Sequence, residues 1–384
     1  MQSISAKAAE NTYDLAVIGG GVTGLWTAFY AARQGLSVVL IEKRGLGAGA
    51  SGGVMGALMP HQPTGWDGKK QFQLDGLLAL EEEIAELEDF TGLSAGYLRC
   101  GRLMPVRVAR KRPFAENWAK ASETNWPHPF RWRVLDETPL PRWLPADTMP
   151  FGANYDDLSA RVDPRKLLAA LAEGFRRHSV DIRENTAVET LDPDGTVRLA
   201  GGDRISAGHI VLATGWQSFA LIGSGFEQSM GTGVKGQAAL LRPVRPVDPA
   251  APILYDDGVY VIAHDSGDVA VGSTSENSFD DPGSTDEKLD AVIAAAKALS
   301  PALEGAATIE RWAGIRPKAA GRDPLIGPLP GFRNTFLATG GFKIGFGIAH
   351  LMAKAVLAQI EGGNPAFLPE SFLPETRLRS AEKT

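Results

Sequence analysis

The stretch YDLAVIGGGVTG at residues 13–24 decides the fold of this chain. Residues 13–18 form a short apolar run typical of a buried parallel strand. Gly19, Gly21 and Gly24 follow as GxGxxG. In this motif the first glycine makes a tight turn, the second lets a pyrophosphate approach the backbone, and the third lets the next helix pack closely on the strand. The stretch therefore predicts a nucleotide-binding strand, turn and helix.

The residues after the motif complete the pattern. Residues 22–34 are predicted as the helix and residues 37–41 as a second strand, with Glu42 at its end. A carboxylate there can accept hydrogen bonds from adenosine ribose hydroxyls, while the free N–H groups at the helix start suit phosphates. Because all parts occur in the required order, we predict dinucleotide binding rather than a structural turn. Lys43 and Arg44 come next, either as a phosphate contact or as a solvated loop.

Composition sets broad limits on the class of protein. The 384 residues are 44% hydrophobic and 22% charged, which is ordinary for a globular chain. A net charge of −6 provides no electrostatic footprint for nucleic acid or anionic membranes. Cys100 is the single cysteine, so no disulfide can form within the chain. Residues 1–12 lack a signal-peptide core, and residues 344–360 are too few to span a membrane, so we expect a cytoplasmic protein.

The remaining pattern is mixed helix and strand. We predict helices over 72–90, from 163 onward, over 286–299 and over 345–360. We predict strands over 99–107, 180–183, 187–191, 196–199, 209–215 and 335–338, and an irregular segment over 112–150. Between residues 233 and 275, three strand-like runs separated by Asp257-Gly258 and Ser266-Gly267 predict an antiparallel sheet.

Nucleotide-binding features thus occur at the start, middle and end of the chain, with antiparallel features between them. We predict an α/β fold of two domains interleaved in sequence. Residues 1–90, 160–222 and 318–384 would form a doubly wound nucleotide-binding domain. Residues 91–159 and 223–317 would form a substrate domain around a mixed or antiparallel sheet.

A second signal, RISAGHIVLATG at residues 204–215, ends in small residues that would lie beside the first glycine loop. With that loop and Glu42, it resembles flavoenzymes that have a glutathione-reductase-like, FAD-binding Rossmann domain. The segments RWAGIRPKAAGRDPLIG (311–327) and LATGGFKIGFG (337–347) resemble the FAD-dependent D-amino acid oxidase family, which includes glycine and sarcosine oxidases and iminodiacetate oxidase-like members. ASGGVMGALMPH (50–61) and LYDDGVYVIAH (254–264) also match it in order.

This resemblance implies a set of cofactor contacts. They are Gly19, Gly21, Val22, Thr23, Gly24, Glu42, Lys43, Arg44, Ala50, Ser51, Val188, Thr214, Gly215, Gly340, Gly341, Phe342, Lys343, Ile344 and Gly345. The helix starting near Gly345 would point its positive end at the flavin, which favours the negative charge of the reduced form. Some relatives attach the flavin through a cysteine in the last third of the chain. Because this chain has none there, we expect non-covalent FAD.

The resemblance also implies catalytic residues. Arg316, in GIRP, matches the arginine that pairs with the substrate carboxylate through two parallel hydrogen bonds. Tyr260 matches a tyrosine that helps hold the carboxylate, although a strand tyrosine is also a common core residue. His61 would contact substrate or only loop carbonyls. Lys343 stands where glycine oxidases have arginine, and loses the fork geometry.

Ser275 and Glu276 likewise replace an apolar position, so the expected substrate shifts from glycine itself toward N-substituted glycines such as sarcosine or iminodiacetate. The implied reaction oxidises a small amine to an imine, which water hydrolyses, while O2 becomes hydrogen peroxide. No metal site, nucleic-acid partner or stable membrane insertion is expected, and the oligomeric state is left open.

Two alternatives remain. One is an oxidase of carboxymethylaminomethyl-uridine in tRNA, since ASGGVMGALMP resembles that branch too. The other is an amino-acid dehydrogenase that passes electrons to a quinone or a protein.

Overall fold

A computed structural model describes residues 12–222 and 225–378; the signal-peptide expectation for residues 1–12 falls almost wholly outside them. The helices in these ranges are α1 (Val22–Arg33), α2 (Gly68–Thr91), α3 (Arg112–Asn125), α4 (Pro164–His178), α5 (Ser218–Ile222), α6 (Glu287–Leu299) and α7 (Gly345–Ile360). The first strands are β1 (Thr12–Ile18), β2 (Val38–Ile41), β3 (Ala57–Leu58), β4 (Leu98–Arg99), β5 (Arg102–Pro105), β6 (Trp132–Leu135), β7 (Ala153–Asp156), β8 (Ala160–Arg161), β9 (Asp181–Arg183) and β10 (Val188–Leu191). The later strands are β11 (Val197–Leu199), β12 (Arg204–Leu212), β13 (Gly231–Arg242), β14 (Ile253–Asp256), β15 (Val259–Ala263), β16 (Val269–Gly272), β17 (Ala307–Ala319), β18 (Leu325–Pro328) and β19 (Thr335–Thr339).

The first sheet is the nucleotide-binding sheet that the opening stretch predicts. Its order is β10-β11-β12-β1-β2-β9, with β19 beside β12 and β18 beside β19. β1 runs parallel to both neighbours, and Ile18 pairs with Ile41 on one side and Leu212 on the other. The carboxyl ends of β1, β2 and β12 therefore meet at one edge, where open α/β sheets bind their ligands.

Helices pack on one face of this sheet through buried apolar side chains. α1 packs against α7 and α4, and its Trp26 and Phe29 are fully buried. α4 begins as expected, because Asp163 accepts hydrogen bonds from Arg165 N and Lys166 N while Pro164 occupies the first turn. Because α1 also packs on β1, the N-terminus of α1 is held next to the glycine turn.

The second sheet has the order β17-β13-β16-β15-β14-β5-β7-β6. The predicted turns at Asp257-Gly258 and Ser266-Gly267 connect β14 to β15 and β15 to β16. Its described pairs are antiparallel, except that β14 runs parallel to β5. One face packs on α6 through Leu289 and Ile293, and the opposite face carries Ile253 and Ile262 toward residues 53–60. This second face is the one that faces the first sheet's loops.

Two predictions about elements are wrong. Residues 112–150 are not irregular, since α3 and β6 lie there; α3 is a mostly polar helix that buries only Ala115 and Ser122. The expected single strand over 99–107 is two strands, because Gly101 (φ 74°) turns the chain from β4 in a three-stranded sheet to β5 in the second sheet.

The two large sheets divide the chain much as the interleaved domains would. Every strand of the first sheet lies within residues 12–222 or 318–378, outside 91–159, and strands of the second sheet lie within 91–159 and 223–319. The division into domains with boundaries near 90, 159, 222 and 317 stays a prediction.

Candidate active site

The glycine turn between β1 and α1 leaves no room for side chains. Gly19 has φ 112°, and a Cβ there would lie 2.5 Å from the carbonyl oxygen of Ala213. A Cβ on Gly24 would lie 1.9 Å from the carbonyl oxygen of Gly19. The first glycine is thus needed for the turn beside β12, and the third for the close approach of α1.

Glu42 is held at the end of β2 next to that turn. One carboxylate oxygen accepts a hydrogen bond from Gly20 N at 2.8 Å, and the other accepts one from Arg44 N at 2.9 Å. Each oxygen keeps further lone pairs for ribose hydroxyls. Lys43 and Arg44 are exposed, and the Arg44 guanidinium donates to Ala48 O at 2.6 Å, so their side chains form part of a surface loop.

Ser51 comes to the start of α1, as the sequence resemblance implies. It lies in a short 3-10 helix, Ala50–Gly52, and its Oγ accepts a hydrogen bond from Val22 N at 3.0 Å. A Cβ on Gly21 would lie 3.3 Å from the same Oγ. Thr23 follows in the first turn, half-buried. Donors at the helix start and a hydroxyl beside them suit the charge of a pyrophosphate.

The second loop lies beside the first. Gly215 adopts φ 61°, its carbonyl accepts a hydrogen bond from Thr339 Oγ1 at 2.8 Å, and Thr214 Oγ1 lies 2.7 Å from Ser218 Oγ. The ends of β12 and β19 are therefore tied together. Val188 in β10 packs on the other face of the first sheet, against a cluster that includes Ile18.

The loop before α7 is shaped by glycine and strained backbone. Gly340 has φ 85° and Phe342 φ 43°, and Phe342 N donates to Pro317 O at 3.2 Å. This hydrogen bond joins the loop to the end of β17. α7 begins at Gly345 as predicted, preceded by Ile344, and a Cβ on Gly341 would lie 3.0 Å from Gly345 Cα. The N-terminus of α7, which is its positive end, thus lies between the first sheet and the end of β17 in the second sheet.

These features fit FAD. The glycine turn has space only for backbone, α1 offers its N-terminus, and Glu42 keeps free acceptor capacity at the strand end. The residues that would hold the cofactor are those of the two loops, Ser51 and the residue 340–345 segment. When bound, FAD supplies the two-electron oxidation that protein side chains cannot perform.

Arg316 is the central cation of the second sheet. It lies on β17 opposite Val234, and a Cβ on Gly236 would lie 2.0 Å from its Nη1, so the guanidinium crosses β13 where there is no side chain. Its described hydrogen bond runs from Nη1 to Thr274 O at 3.2 Å, and no carboxylate of residues 12–222 or 225–378 forms an ion pair with it. Burial lowers the pKa of Arg316, with a smaller opposing effect from Tyr260. A half-buried cation without an acidic partner in the described ranges can receive an anion.

Tyr260 lies next to this cation. It pairs with Gly272 across β16 and Tyr255 across β14, and its ring centroid is 4.8 Å from that of Tyr255. Burial raises the pKa of Tyr260 to about 12, and the charge of Arg316 opposes that rise. The phenol is therefore a neutral hydrogen-bond donor at neutral pH. Tyr260 therefore lies within electrostatic range of Arg316, and its contact with the substrate carboxylate stays a prediction.

Lys343 is the second cation. Its exposed side chain follows Phe342, and its pKa is lowered by partial loss of hydration and by the charges of Arg316 and Arg322. The loop before α7 is joined to the end of β17 by the hydrogen bond from Phe342 N to Pro317 O, so Lys343 lies in the same region of the fold as Arg316. Together they form a positively charged end of the site.

His61 is not tied to these residues by any described contact. Its backbone N donates to Gln73 Oε1 at 2.9 Å, and its buried Nδ1 has no partner among the described residues. Burial lowers the pKa of His61, and the charges that act on it come from Lys69, Lys70 and Asp67. The ring is neutral near pH 7 and belongs to the approach to α2.

Three neighbours of the site were not predicted. Trp312 lies over the flavin-facing loop, since a Cβ on Gly53 would be 3.1 Å from its ring. Gly236 and Thr274 together form the seat of Arg316. Sequence alternation alone gives no sign of them, because each acts through pairing between strands distant in sequence.

A Rossmann-type sheet with a glycine turn and an acid after its second strand, joined to a second sheet that carries Arg316, is the architecture of an FAD-dependent oxidoreductase. A family model described as DAO, FAD dependent oxidoreductase, matches residues 14–359, and the chain belongs to this family. The cofactor is accordingly FAD.

Individual proteins extend the comparison. Glycine oxidase of Bacillus licheniformis is 27% identical over 371 residues, covering 92% of this chain and 94% of that protein. Glycine oxidase from Geobacillus kaustophilus superposes with a TM-score of 0.85 at 24% identity, covering 94% and 98% of the two chains. Iminodiacetate oxidase from Chelativorans sp. BNC1 gives 0.84 at 23% identity with the same coverage. The two superpositions establish the fold.

Within the described ranges, no helix is both long and apolar enough to cross a membrane.

Proposed function

We propose that this protein oxidises the C–N bond of a small amino acid or N-substituted glycine to an imine, with O2 as the electron acceptor and hydrogen peroxide as the product. One observation carries the proposal: Arg316 is held over Gly236 without a described acidic partner, beside Tyr260. A free guanidinium matches a carboxylate through two parallel hydrogen bonds. The similarity to glycine oxidases supports the amine part.

In this proposal the protein contributes position rather than acid–base chemistry. Arg316 and Tyr260 would fix the carboxylate, so that the α-carbon of the substrate is turned toward the flavin loops at residues 50–61 and 340–345. Orientation of this kind lowers the reaction barrier, because the loss of translational and rotational entropy occurs when the substrate binds. A neutral amine supplies its own lone pair, which explains why no general base is required at the site.

Lys343 supports a finer substrate assignment. Its cationic side chain lies in the field of Arg316, and the family resemblance places arginine there in glycine oxidases. We propose that Lys343 meets a second acidic group, so that a diacid of the iminodiacetate type is preferred over glycine. The similarity of the fold to an iminodiacetate oxidase is compatible with this choice.

The deciding experiment is a substrate panel. Purified, flavin-loaded protein would be given glycine, sarcosine, iminodiacetate, D-alanine and D-proline under air, and hydrogen peroxide would be measured. We expect stoichiometric peroxide, with the highest kcat/KM for an N-substituted glycine. Turnover only with a quinone or another artificial acceptor would instead identify a dehydrogenase, and no turnover of any carboxylate amine would overturn the proposal.

Cofactor attachment has a separate test. We infer non-covalent FAD, because Cys100 is the single cysteine and lies in the region of β4 and β5. Heat or acid should release all yellow colour into the supernatant as FAD. Flavin that stays with the precipitated protein would contradict this inference.

A cytoplasmic location is also part of the proposal. Burial raises the pKa of the Cys100 thiol to about 11, so it is protonated and unreactive in any compartment, and the expectation depends on the sequence alone. Fractionation of cells that express the full-length protein, with activity recovered in the soluble fraction, is the measurement.

A further inference from the structure

The seat of Arg316 is built from backbone, not from charge. The guanidinium passes over Gly236 and donates from Nη1 to the carbonyl oxygen of Thr274 at 3.2 Å. Thr274 follows β16, in a segment that continues alongside β13, where Lys235 and Glu276 exchange both backbone hydrogen bonds at 2.9 Å. The direction of the Thr274 carbonyl therefore sets the direction of the arginine.

A polar network fixes this segment from the other face of β13. Because neighbouring residues of a strand face opposite sides, Gln237 faces away from Arg316 and toward α6. Thr274 Oγ1 accepts a hydrogen bond from Gln237 N at 2.9 Å and donates one to Glu276 Oε1 at 2.6 Å. Gln237 Nε2 donates to Glu276 Oε1 at 2.9 Å and to Asp286 Oδ1 at 2.7 Å.

Glu276 is the node of this network. Its side chain is 9% exposed, and both of its oxygens are occupied, Oε1 by Thr274 and Gln237 and Oε2 by Lys288 Nζ at 2.7 Å. Hydrogen bonds to the charged form lower the pKa of Glu276 against the effect of burial, so it is an anion at neutral pH. Its carboxylate lies on the α6 face of the sheet, whereas the Arg316 guanidinium lies on the face of Gly236.

We propose that Glu276 is a positioning residue for substrate binding: its carboxylate anchors the Thr274 hydroxyl and so fixes the Thr274 carbonyl that orients Arg316. Glu276 does not touch substrate or flavin in this arrangement. Its effect is on the affinity for the carboxylate, with no direct part in the oxidation step. The inference rests on the proposed role of Arg316, and it adds a residue on the opposite face of the sheet.

The test compares Glu276→Ala with Glu276→Gln in flavin-loaded, full-length protein. The probe is glycolate, a small carboxylate without the reacting amine, titrated against the absorbance of the bound flavin. We expect the glycolate Kd to rise at least about fivefold in Glu276→Ala, with a matching rise in KM and kcat within about twofold. Glu276→Gln keeps an acceptor for Thr274, so a smaller rise, of roughly threefold, is expected.

Asp290→Ala is the matched control. It removes another ion pair between α6 and a strand of the second sheet, Asp290 to Arg311 at 2.5 Å, without reaching Thr274. Its glycolate Kd should equal that of the parent. A merely structural role for Glu276 would lower the melting temperature and the flavin content of the variants, and leave the glycolate Kd of the flavin-loaded fraction unchanged.

Two outcomes separate this inference from the proposed function. If Arg316→Ala abolishes glycolate binding but both Glu276 variants bind glycolate within twofold of the parent, the positioning role is wrong and the carboxylate site stands. If Arg316→Ala itself binds glycolate normally, the proposed function fails with it. Where Glu276→Ala does not yield folded protein, Glu276→Gln decides by the same criterion.

Discussion

At the scale of single residues, the site is defined by charges that the fold leaves without opposite partners. Most arginines near the second sheet are paired, as Arg102 is with the fully buried Asp156 at 2.8 Å and Arg242 is with Asp268 at 2.9 Å. Arg316 makes a single described hydrogen bond, to a backbone carbonyl. Partial burial of a cation in this way costs free energy that a bound carboxylate can restore.

Replacement of Arg316 tests this point. Arg316→Ala should keep FAD, because the glycine turn and Glu42 hold the cofactor elsewhere. It should weaken substrate use by about 2–5 kcal/mol, the range for breaking a desolvated charge pair. Arg316→Lys should recover only part, since an ammonium group lacks the bidentate fork. The measurements are the flavin spectrum and kcat/KM; unchanged kcat/KM in Arg316→Ala would remove the carboxylate assignment.

Lys343 offers a contrast at the same scale. If it meets a second carboxylate, Lys343→Ala should lower kcat/KM for iminodiacetate more than for sarcosine, by up to about fivefold for the loss of one exposed charge contact of up to about 1 kcal/mol. Lys318→Ala, on β17, is the control cation, and both substrates should respond to it equally. An equal loss for the two substrates in Lys343→Ala would assign the lysine to the flavin or to oxygen.

At the scale of elements, the contact between β1 and α1 depends on the absence of a side chain. Gly24 lies where α1 contacts the carbonyl of Gly19. This close contact fixes the position of the start of α1, and with it the position of Ser51, which accepts a hydrogen bond from Val22 N. Gly19 in turn lies against the second loop at Ala213. A methyl group there cannot be accommodated by a rotamer change, because the atom that it meets belongs to the backbone.

Gly24→Ala should therefore lower both stability and flavin content. The Cβ would lie 1.9 Å from Gly19 O, and overpacking of this kind costs at least about 1–3 kcal/mol. Thermal unfolding and the flavin-to-protein absorbance ratio are the measurements. Gly201→Ala is the control, since nothing lies within 4 Å of a Cβ there. Full flavin content in Gly24→Ala would show that α1 can shift without loss of the site.

At the scale of the whole molecule, the two large sheets meet through loops that connect strands of the first sheet. The loops at residues 50–61 and 340–345 come from the first sheet's connections, yet they contact β17 and the face that carries Ile253 and Ile262. We propose that the sheets mark two domains with the boundaries predicted from the sequence. Limited proteolysis should then cut near residue 222, between α5 and β13, before it cuts within either sheet, because residues 90 and 317 lie inside α2 and β17 and Ser159 is buried.

Acid should destabilise the molecule as a unit, because α7 buries His350 completely. Burial, with the nearby charge of Lys354, lowers the pKa of His350 to about 3 from its usual 6.5, against a smaller opposing effect of the Gly76 backbone. In the unfolded chain the His350 imidazole is protonated below about pH 6.5, whereas in the folded protein it stays neutral until about pH 3. Stability is thus unaffected above about pH 6.5 and falls as the pH drops through that window, by up to about 1.4 kcal/mol per pH unit.

The measurement is the denaturation midpoint between about pH 7 and pH 4. His350→Leu should show a shallower decline than the parent, whereas His128→Gln, at an exposed position, should follow the parent curve. Parallel curves for the parent and His350→Leu would assign the acid sensitivity to other groups.

Local patterns predicted the elements whose signals are local. The strand, turn and helix at residues 13–34 follow from apolar runs and glycines a few residues apart, and α4 follows from Asp163 and Pro164. α3 was missed because its residues are polar and its packing comes from tryptophans, Trp118 against Trp132, that meet only in the fold. β17 was read only as a motif, although it is a 13-residue strand paired along most of β13.

The sequence by itself determined the strand, glycine turn and helix at β1 and predicted that a dinucleotide binds there, since each glycine and Glu42 act within one short stretch of chain. The resemblance to the D-amino acid oxidase family predicted that Arg316 and Tyr260 bind the substrate carboxylate. Only the tertiary structure decided that Arg316 has no acidic ion-pair partner among residues 12–222 and 225–378, that Gly236 and the Thr274 carbonyl adjoin its guanidinium, and that Glu276 lies on the opposite face of the sheet. These facts depend on strands 231–242, 269–272 and 307–319 lying side by side, and long-range pairing of that kind leaves no trace in local periodicity.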